Sequence, residues 1–257
     1  MPDWIAPILS DHRFDGGVAV QALRSLDETR WLLELSDRFE NVLGVVGWVD
    51  LTDPWLGSTL DELQKHPRFV GVRAPAHHED DTTWLLREDV LRGLEELARR
   101  DLPFDLMIQP RHLYQAGRIA ERIPALRMVI DHIAKPPIAG QVLEPWASDI
   151  AEAARLPRLY CKISGLITED VEQWTATRLR PYVEHVFRCF GPHRLRFGSD
   201  WPVCLTHGTW KAALAAFTQA LGALRQETRE QLLGRTALEF YRLPLRTPAS
   251  GDRHSAA

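Results

Sequence analysis

Cysteine is scarce in this 257-residue chain, and the three present, Cys161, Cys189 and Cys204, form no C-x-x-C spacing. An odd count without metal-type spacing excludes a disulfide framework and points to a reducing compartment, so the cytoplasm is the expected location. No apolar run reaches the ~18 residues that a membrane span needs. The N-terminus, MPDWIAPILSDHRF, has no basic region followed by an apolar core, so secretion and membrane insertion are both unsupported. Thirty-one basic residues face thirty-five acidic ones, with no basic run or interleaved aromatic stripe, which removes nucleic acid from the expected partners. Neither G-x-G-x-x-G nor G-x-x-x-x-G-K-[ST] occurs, so nucleotide cofactors have no support. No G-x-S-x-G elbow surrounds Ser164 or Ser199, which disfavours a serine-hydrolase mechanism.

What is present is the composition of an ordinary globular protein, 45% hydrophobic and 26% charged, and one core of α/β-barrel size would use nearly all of it. Seven short, almost continuously apolar runs read as strands buried on both faces of a parallel sheet: 17–23, 41–50, 68–74, 103–109, 127–133, 159–165 and 194–200. Helical candidates lie between them at 26–39, 87–101, 112–123, 143–155 and 178–190. In the second of these, Val90, Leu91, Leu94 and Leu97 recur at helical spacing as a core stripe, with Arg92, Glu95, Glu96 and Arg99 facing elsewhere. Repeated strand-helix alternation without a compositional break predicts a TIM (β/α)8 barrel over residues 1–245. The pattern is one strand short. Residues 3–12 read as the helix that follows a first strand, so the deficit is at the N-terminal end. Each unpaired edge group left buried by that deficit costs on the order of 1 to 3 kcal/mol. A start recorded downstream of the true one is the favoured explanation, ahead of a strand supplied by another chain or an open, inactive barrel. Residues 246–257 read as a disordered tail, and their His254 carries no function.

The chemistry gathers at the ends of three strands, which in a parallel barrel all open on one face. Asp200 closes the run RLRFGSD, and Pro202 discourages a helix directly after it. A carboxylate held there can take a proton from water or bind a metal; capping a helix or pairing with a lysine is the alternative. His132 and Asp131 end the run MVIDH, and strand alternation lets one of them point to the barrel mouth; the histidine is the expected one. An imidazole there polarises a carbonyl, binds a metal or shuttles a proton. Lys135 and Lys162 are candidates to hold an anionic oxygen, or else are ion-pair partners of neighbouring carboxylates. Arg73 offers a planar fork to a substrate carboxylate or hydroxyl. Trp48 and Trp201 are candidates to pack on a sugar-like ring, or are simply wall or core. His77 and His78, beside Glu79 and Asp80, read as part of a solvated polar loop rather than a metal site, since adjacent side chains diverge.

The runs VVGWVDL (45–51), FVGVR (69–73), WLLREDVLRGL (84–94), DHIAKPPIAG (131–140), YCKISGL (160–166), RPYVEHVFRCFGPHRLRFGSDWPVC (180–204) and LLGRTALEFYRL (232–243) together resemble amidohydrolase family 2. The likeness is greatest to its lactone-cleaving branch of sugar-acid lactonases and 2-pyrone-4,6-dicarboxylate hydrolases. It implies a TIM barrel in which Asp200 acts on the hydrolytic water and His132 helps polarise the carbonyl of a small sugar-acid or carboxylated lactone. It also implies, in some members, a divalent cation (Zn or Mn), which here would fall to His132 and Asp200; other members have none. The His-x-His pair that the family carries after its first strand is absent, as are the polar residue often found at Ala74 and the asparagine frequent at Thr236. A metal-dependent nonoxidative decarboxylase of the same superfamily is the alternative reaction, and a catalytically inactive barrel the alternative of another class. The oligomeric state stays open, a homo-oligomer included.

Overall fold

The computed structural model describes residues 2–76, 79–170 and 174–243. The expected tail, 246–257, and the His77–His78 pair lie outside the described residues. The chain runs α1 (Pro2–Asp11), β1 (Gly17–Val20), α2 (Leu26–Arg38), β2 (Val42–Gly47), α3 (Leu56–Leu63), β3 (Phe69–Pro75), α4 (Glu88–Arg99), β4 (Phe104–Met107) and α5 (Leu113–Arg122). It continues through β5 (Met128–Ile130), α6 (Trp146–Ala153), β6 (Leu159–Ile163), α7 (Leu166–Glu169), α8 (Ala176–Phe190), β7 (Leu195–Phe197), α9 (Trp210–Leu221), α10 (Gln226–Glu230) and α11 (Thr236–Tyr241). Among the described residues no helix is long and apolar enough to cross a membrane.

The seven strands pair in parallel in strict chain order, β1 to β7. Each expected strand is found, and none of the described residues adds an eighth. The sheet is curled rather than flat. Phe14, between α1 and β1, meets Phe197 of β7 at a ring separation of 6.2 Å and Trp210 of α9 edge-on at 5.3 Å, so the two outer strands approach one another. The architecture is thus a half-barrel of TIM type, one strand short of closure.

Helix placement follows from caps and stripes. Ser25, Thr175 and Thr209 each accept a backbone N–H three residues on, at 3.3, 3.3 and 3.0 Å, which fixes the starts of α2, α8 and α9. Such a cap contributes about 1 kcal/mol. On α4, Val90, Leu91, Leu94 and Leu97 are all buried against the sheet, each adding ~1.5–3 kcal/mol, while Arg92 and Arg99 are exposed. Gly93 sits in the same face because a Cβ there would lie 2.2 Å from the Leu51 carbonyl oxygen, so only glycine lets α4 approach the loop after β2 this closely. A second, smaller cluster fills the barrel floor, where Phe240, Tyr241 and Leu243 from the end of α11 pack on Val46, Val70 and Val129 of the strands.

Candidate active site

β5 ends at Ile130, three residues before the sequence run does. Residues 131–134 form a tight 3-10 turn in which His132, Ile133, Ala134 and Lys135 all take left-handed backbone, with φ of 52°, 47°, 61° and 52°. Four successive non-glycine residues in that region cost roughly 1–2 kcal/mol each, and the surroundings must over-determine them. They do so in part through Ile133, whose side chain is buried and whose carbonyl accepts the Trp146 indole N–H at 2.8 Å. The strand alternation expected at Asp131 and His132 therefore does not apply. Both side chains are buried.

His132 reaches the rim. Its Nδ1 is 2.9 Å from Ser164 Oγ, and its Nε2 is 3.9 Å from Asp200 Oδ1, too far for a direct hydrogen bond. Each polar edge is left free to engage a third group between them. Gly165 makes this possible: its φ is +67°, and a Cβ on it would stand 2.8 Å from His132 Nδ1. Asp200 is also in left-handed backbone, φ 57°, beyond the end of β7 at Phe197, and its carbonyl accepts the Cys204 N–H at 2.8 Å in a turn over 203–206. Burial raises the Asp200 carboxyl to about 6, against the opposing pull of the Lys135 ammonium. Burial lowers His132 to about 3; Asp131 opposes this and Lys162 adds to it. At neutral pH the pair is thus a carboxylate beside an uncharged imidazole.

Beneath the rim lies a charged interior. Asp131, fully buried, takes Arg73 Nη1 on Oδ2 at 2.9 Å and pairs through Oδ1 with Lys162. Although burial alone would raise its carboxyl, Lys162 and Arg73 hold it well below the ordinary aspartate value. Lys162 also meets Asp105 Oδ2 at 3.2 Å, and the Tyr241 hydroxyl donates to that same oxygen at 2.7 Å. Arg196 donates to the Tyr241 oxygen and lies over its ring, 4.2 Å from the centroid. Three cations, Arg73, Lys162 and Arg196, face two carboxylates, Asp105 and Asp131, so an ionised Asp200 at the rim balances the interior charge.

The structure brings His132, Asp200 and, through the strands' common face, Arg73, Lys135 and Lys162 to one end of the barrel. Lys135 Nζ pairs with Glu169 and is the cation with the largest effect on Asp200. Trp48 follows β2 and lines a separate cavity, whereas Trp201 is half-buried against the main core. Ser164, which the sequence offers only as a disfavoured nucleophile, directly follows β6 two residues after Lys162, and that spacing is the signal that it shares Lys162's face. Burial raises the thiols of Cys161 and Cys204, the latter to about 11, so both stay protonated at neutral pH.

The amidohydrolase family model matches residues 6–243. The chain belongs to the amidohydrolase family. With the curated lactonase relatives, that membership makes it a hydrolase. This amidohydrolase is 36% identical over 258 residues to an L-fucono-1,5-lactonase of Burkholderia ambifaria, across 99% of this chain and 88% of the relative. A crystal structure of an amidohydrolase from Burkholderia multivorans with bound Zn superposes with a TM-score of 0.89 at 33% identity, covering 95% of this chain and 89% of that one. A probable 2-pyrone-4,6-dicarboxylic acid hydrolase from Acinetobacter baumannii, at 20% identity and a TM-score of 0.80 over 95% of this chain and 89% of its own, shares the fold.

A catalytic zinc is normally held by three protein ligands. Among the described residues no group of three His, Cys, Asp or Glu is placed to hold a metal ion, and His132 with Asp200 supplies two donors. That donor set does not by itself fit a zinc centre.

Proposed function

We propose that this amidohydrolase opens the cyclic ester of a small sugar-acid or carboxylated lactone by water attack on its carbonyl. The observation that carries the reading is the His132–Asp200 pair, 3.9 Å apart at the barrel rim, with one partner ionised and the other neutral at pH 7. The lactonase relatives support the same substrate class.

Asp200 takes a proton from water as the water oxygen bonds to the lactone carbonyl carbon. The carbonyl electrons move to its oxygen, which needs donors placed where charge develops. His132 supplies Nε2–H when the Ser164 hydroxyl donates to Nδ1, so Ser164 sets the tautomer. Lys135 keeps two N–H groups beyond its pairing with Glu169 and adds positive charge on the same side. Collapse of the tetrahedral intermediate breaks the bond to the ring oxygen, which leaves with the proton held on Asp200. The product is a hydroxy acid whose carboxyl loses its proton to solvent, and Asp200 returns to its ionised form. Arg73 and Lys162 hold Asp131 in place, and their charges add to the burial that keeps the His132 imidazole uncharged.

Proton release from a panel of six-carbon sugar lactones, corrected for spontaneous opening, tests this. Asp200→Asn is expected to lower kcat by about 10²–10⁴, the range of a positioned general base. Turnover retained in that variant overturns the assignment.

A further inference from the structure

Opening any lactone adds one negative charge, because a neutral ester becomes a carboxylate that is ionised at neutral pH. A cation that steadies the passing oxyanion is therefore placed to retain the product as well. Lys135 is such a cation, the one with the largest effect on Asp200. Its partner, Glu169, has no role in the bond-making steps above.

Two loops meet at this pair. Lys135 closes the left-handed turn after β5, with its backbone N–H on the His132 carbonyl at 2.8 Å and its ammonium on the Glu169 carboxylate. Glu169 ends α7, and its N–H bonds the Gly165 carbonyl at 3.1 Å. The next residue, buried Asp170, takes Arg178 at 2.7 and 3.0 Å on its two oxygens, and Arg178 also donates to the Ala139 carbonyl at 3.0 Å. With Ser164 on His132 Nδ1, the loop after β6 thus braces the loop after β5 at three points, and Glu169 is fixed rather than loose at the surface. The side chains of Lys135 and Glu169 are 25% and 23% exposed, against 9% and 15% for His132 and Asp200, so the pair lies nearer solvent than the reacting groups.

The charges around the site are matched. Arg73, Lys162 and Arg196 exceed Asp105 and Asp131 by one, which ionised Asp200 cancels, and Glu169 cancels Lys135. A carboxylate formed here meets a cation that is already paired, flanked by two like charges. Resting on the lactone-hydrolase reading, we infer that Glu169 is a product-release residue: it holds Lys135 in place for the short-lived oxyanion and cancels its charge toward the hydroxy-acid anion that follows. Glu169 acts through Lys135, so it is a positioning residue and not a catalytic one.

Gluconate and gluconamide, an open-chain hydroxy acid and its uncharged amide, separate charge from shape, and calorimetry on the full chain gives both affinities without turnover. Glu169→Gln keeps an oxygen that accepts the Lys135 N–H and removes only the charge. It is expected to raise the ratio of gluconate to gluconamide affinity about tenfold, the scale of one partly buried charge a few ångströms away. Lys135→Gln is expected to lower that ratio by a similar factor, and Glu169→Asp to leave it near the wild-type value. Opposite shifts of one ratio cannot come from damaged folding, which weakens both ligands together. A ratio unchanged or lowered in Glu169→Gln overturns the inference, as does binding of neither ligand by any form. The expected shifts without any lactone turnover leave the charge device in place and overturn the hydrolase reading; turnover of sugar lactones with an unmoved ratio does the reverse.

Discussion

At the residue scale, the same burial produces opposite effects in two neighbouring groups, because one is charged when deprotonated and the other when protonated. Asp200 is raised and His132 lowered, so their protonation order is the one that hydrolysis needs. Ser164 is a positioning residue in this scheme, acting only through Nδ1 of His132. Replacing it by alanine removes one hydrogen bond of about 1 kcal/mol, and kcat is expected to fall about fivefold. Steady-state kinetics should show KM held and the acid limb of the pH profile unmoved; a raised KM with normal kcat would instead place Ser164 in substrate binding. His132 and Asp200 were both legible in the sequence as strand-end polar residues. The ion pairs beneath them were less so, because Arg73 lies 58 residues from Asp131 and Lys162 57 residues from Asp105. The sequence offered Lys162 as an anion holder or an ion-pair partner, and only the fold brings Asp105 and Asp131 to it.

At the scale of elements, the apolar runs marked every strand of the sheet, but overran their ends. Ile133 and Ala134 extend the hydrophobic pattern of β5 and are indeed buried, yet their backbone is left-handed, a feature that hydrophobicity does not record. The overrun falls at the site itself, where the chain leaves the strand to turn His132 over the barrel mouth. α9 lay where no helix was named; much of its length is alanine and its apolar face is wide, so polar periodicity is weak there. The loop after β6 gives the most direct test of how the elements build the site. Gly165 combines φ +67° with close approach to His132, so Gly165→Ala is expected to cost roughly 1–3 kcal/mol in urea unfolding and to depress kcat by displacing the imidazole. Unaltered stability and turnover would mean that this contact does not position His132.

For the whole molecule, the central fact is a curled seven-stranded sheet whose floor is closed by the C-terminal helix and whose interior carries paired charge. The sequence pattern gave the alternation and the missing strand. It did not give the charged interior, nor the part of Tyr241, which reaches from α11 to Asp105 and links the floor of the barrel to the ion pairs under His132. Tyr241→Phe leaves Asp105 and Arg196 each short of a buried partner, with an expected loss of about 1–3 kcal/mol in thermal or denaturant unfolding. Lactone turnover measured well below the melting range should persist, since the tyrosine is not at the rim; equal loss of activity and stability would tie the floor directly to catalysis.

The most direct test of the account is the pH dependence of kcat/KM for sugar-lactone hydrolysis. Asp200 acts in its ionised form, and its carboxyl is raised to about 6, so activity should be full above that value and fall tenfold per pH unit below it. His132, lowered to about 3, stays neutral through this range and adds no limb of its own. Asp200→Asn should abolish the limb together with the rate. A profile flat from pH 7 to 5, or a limb near 6 that survives in Asp200→Asn, would contradict the account.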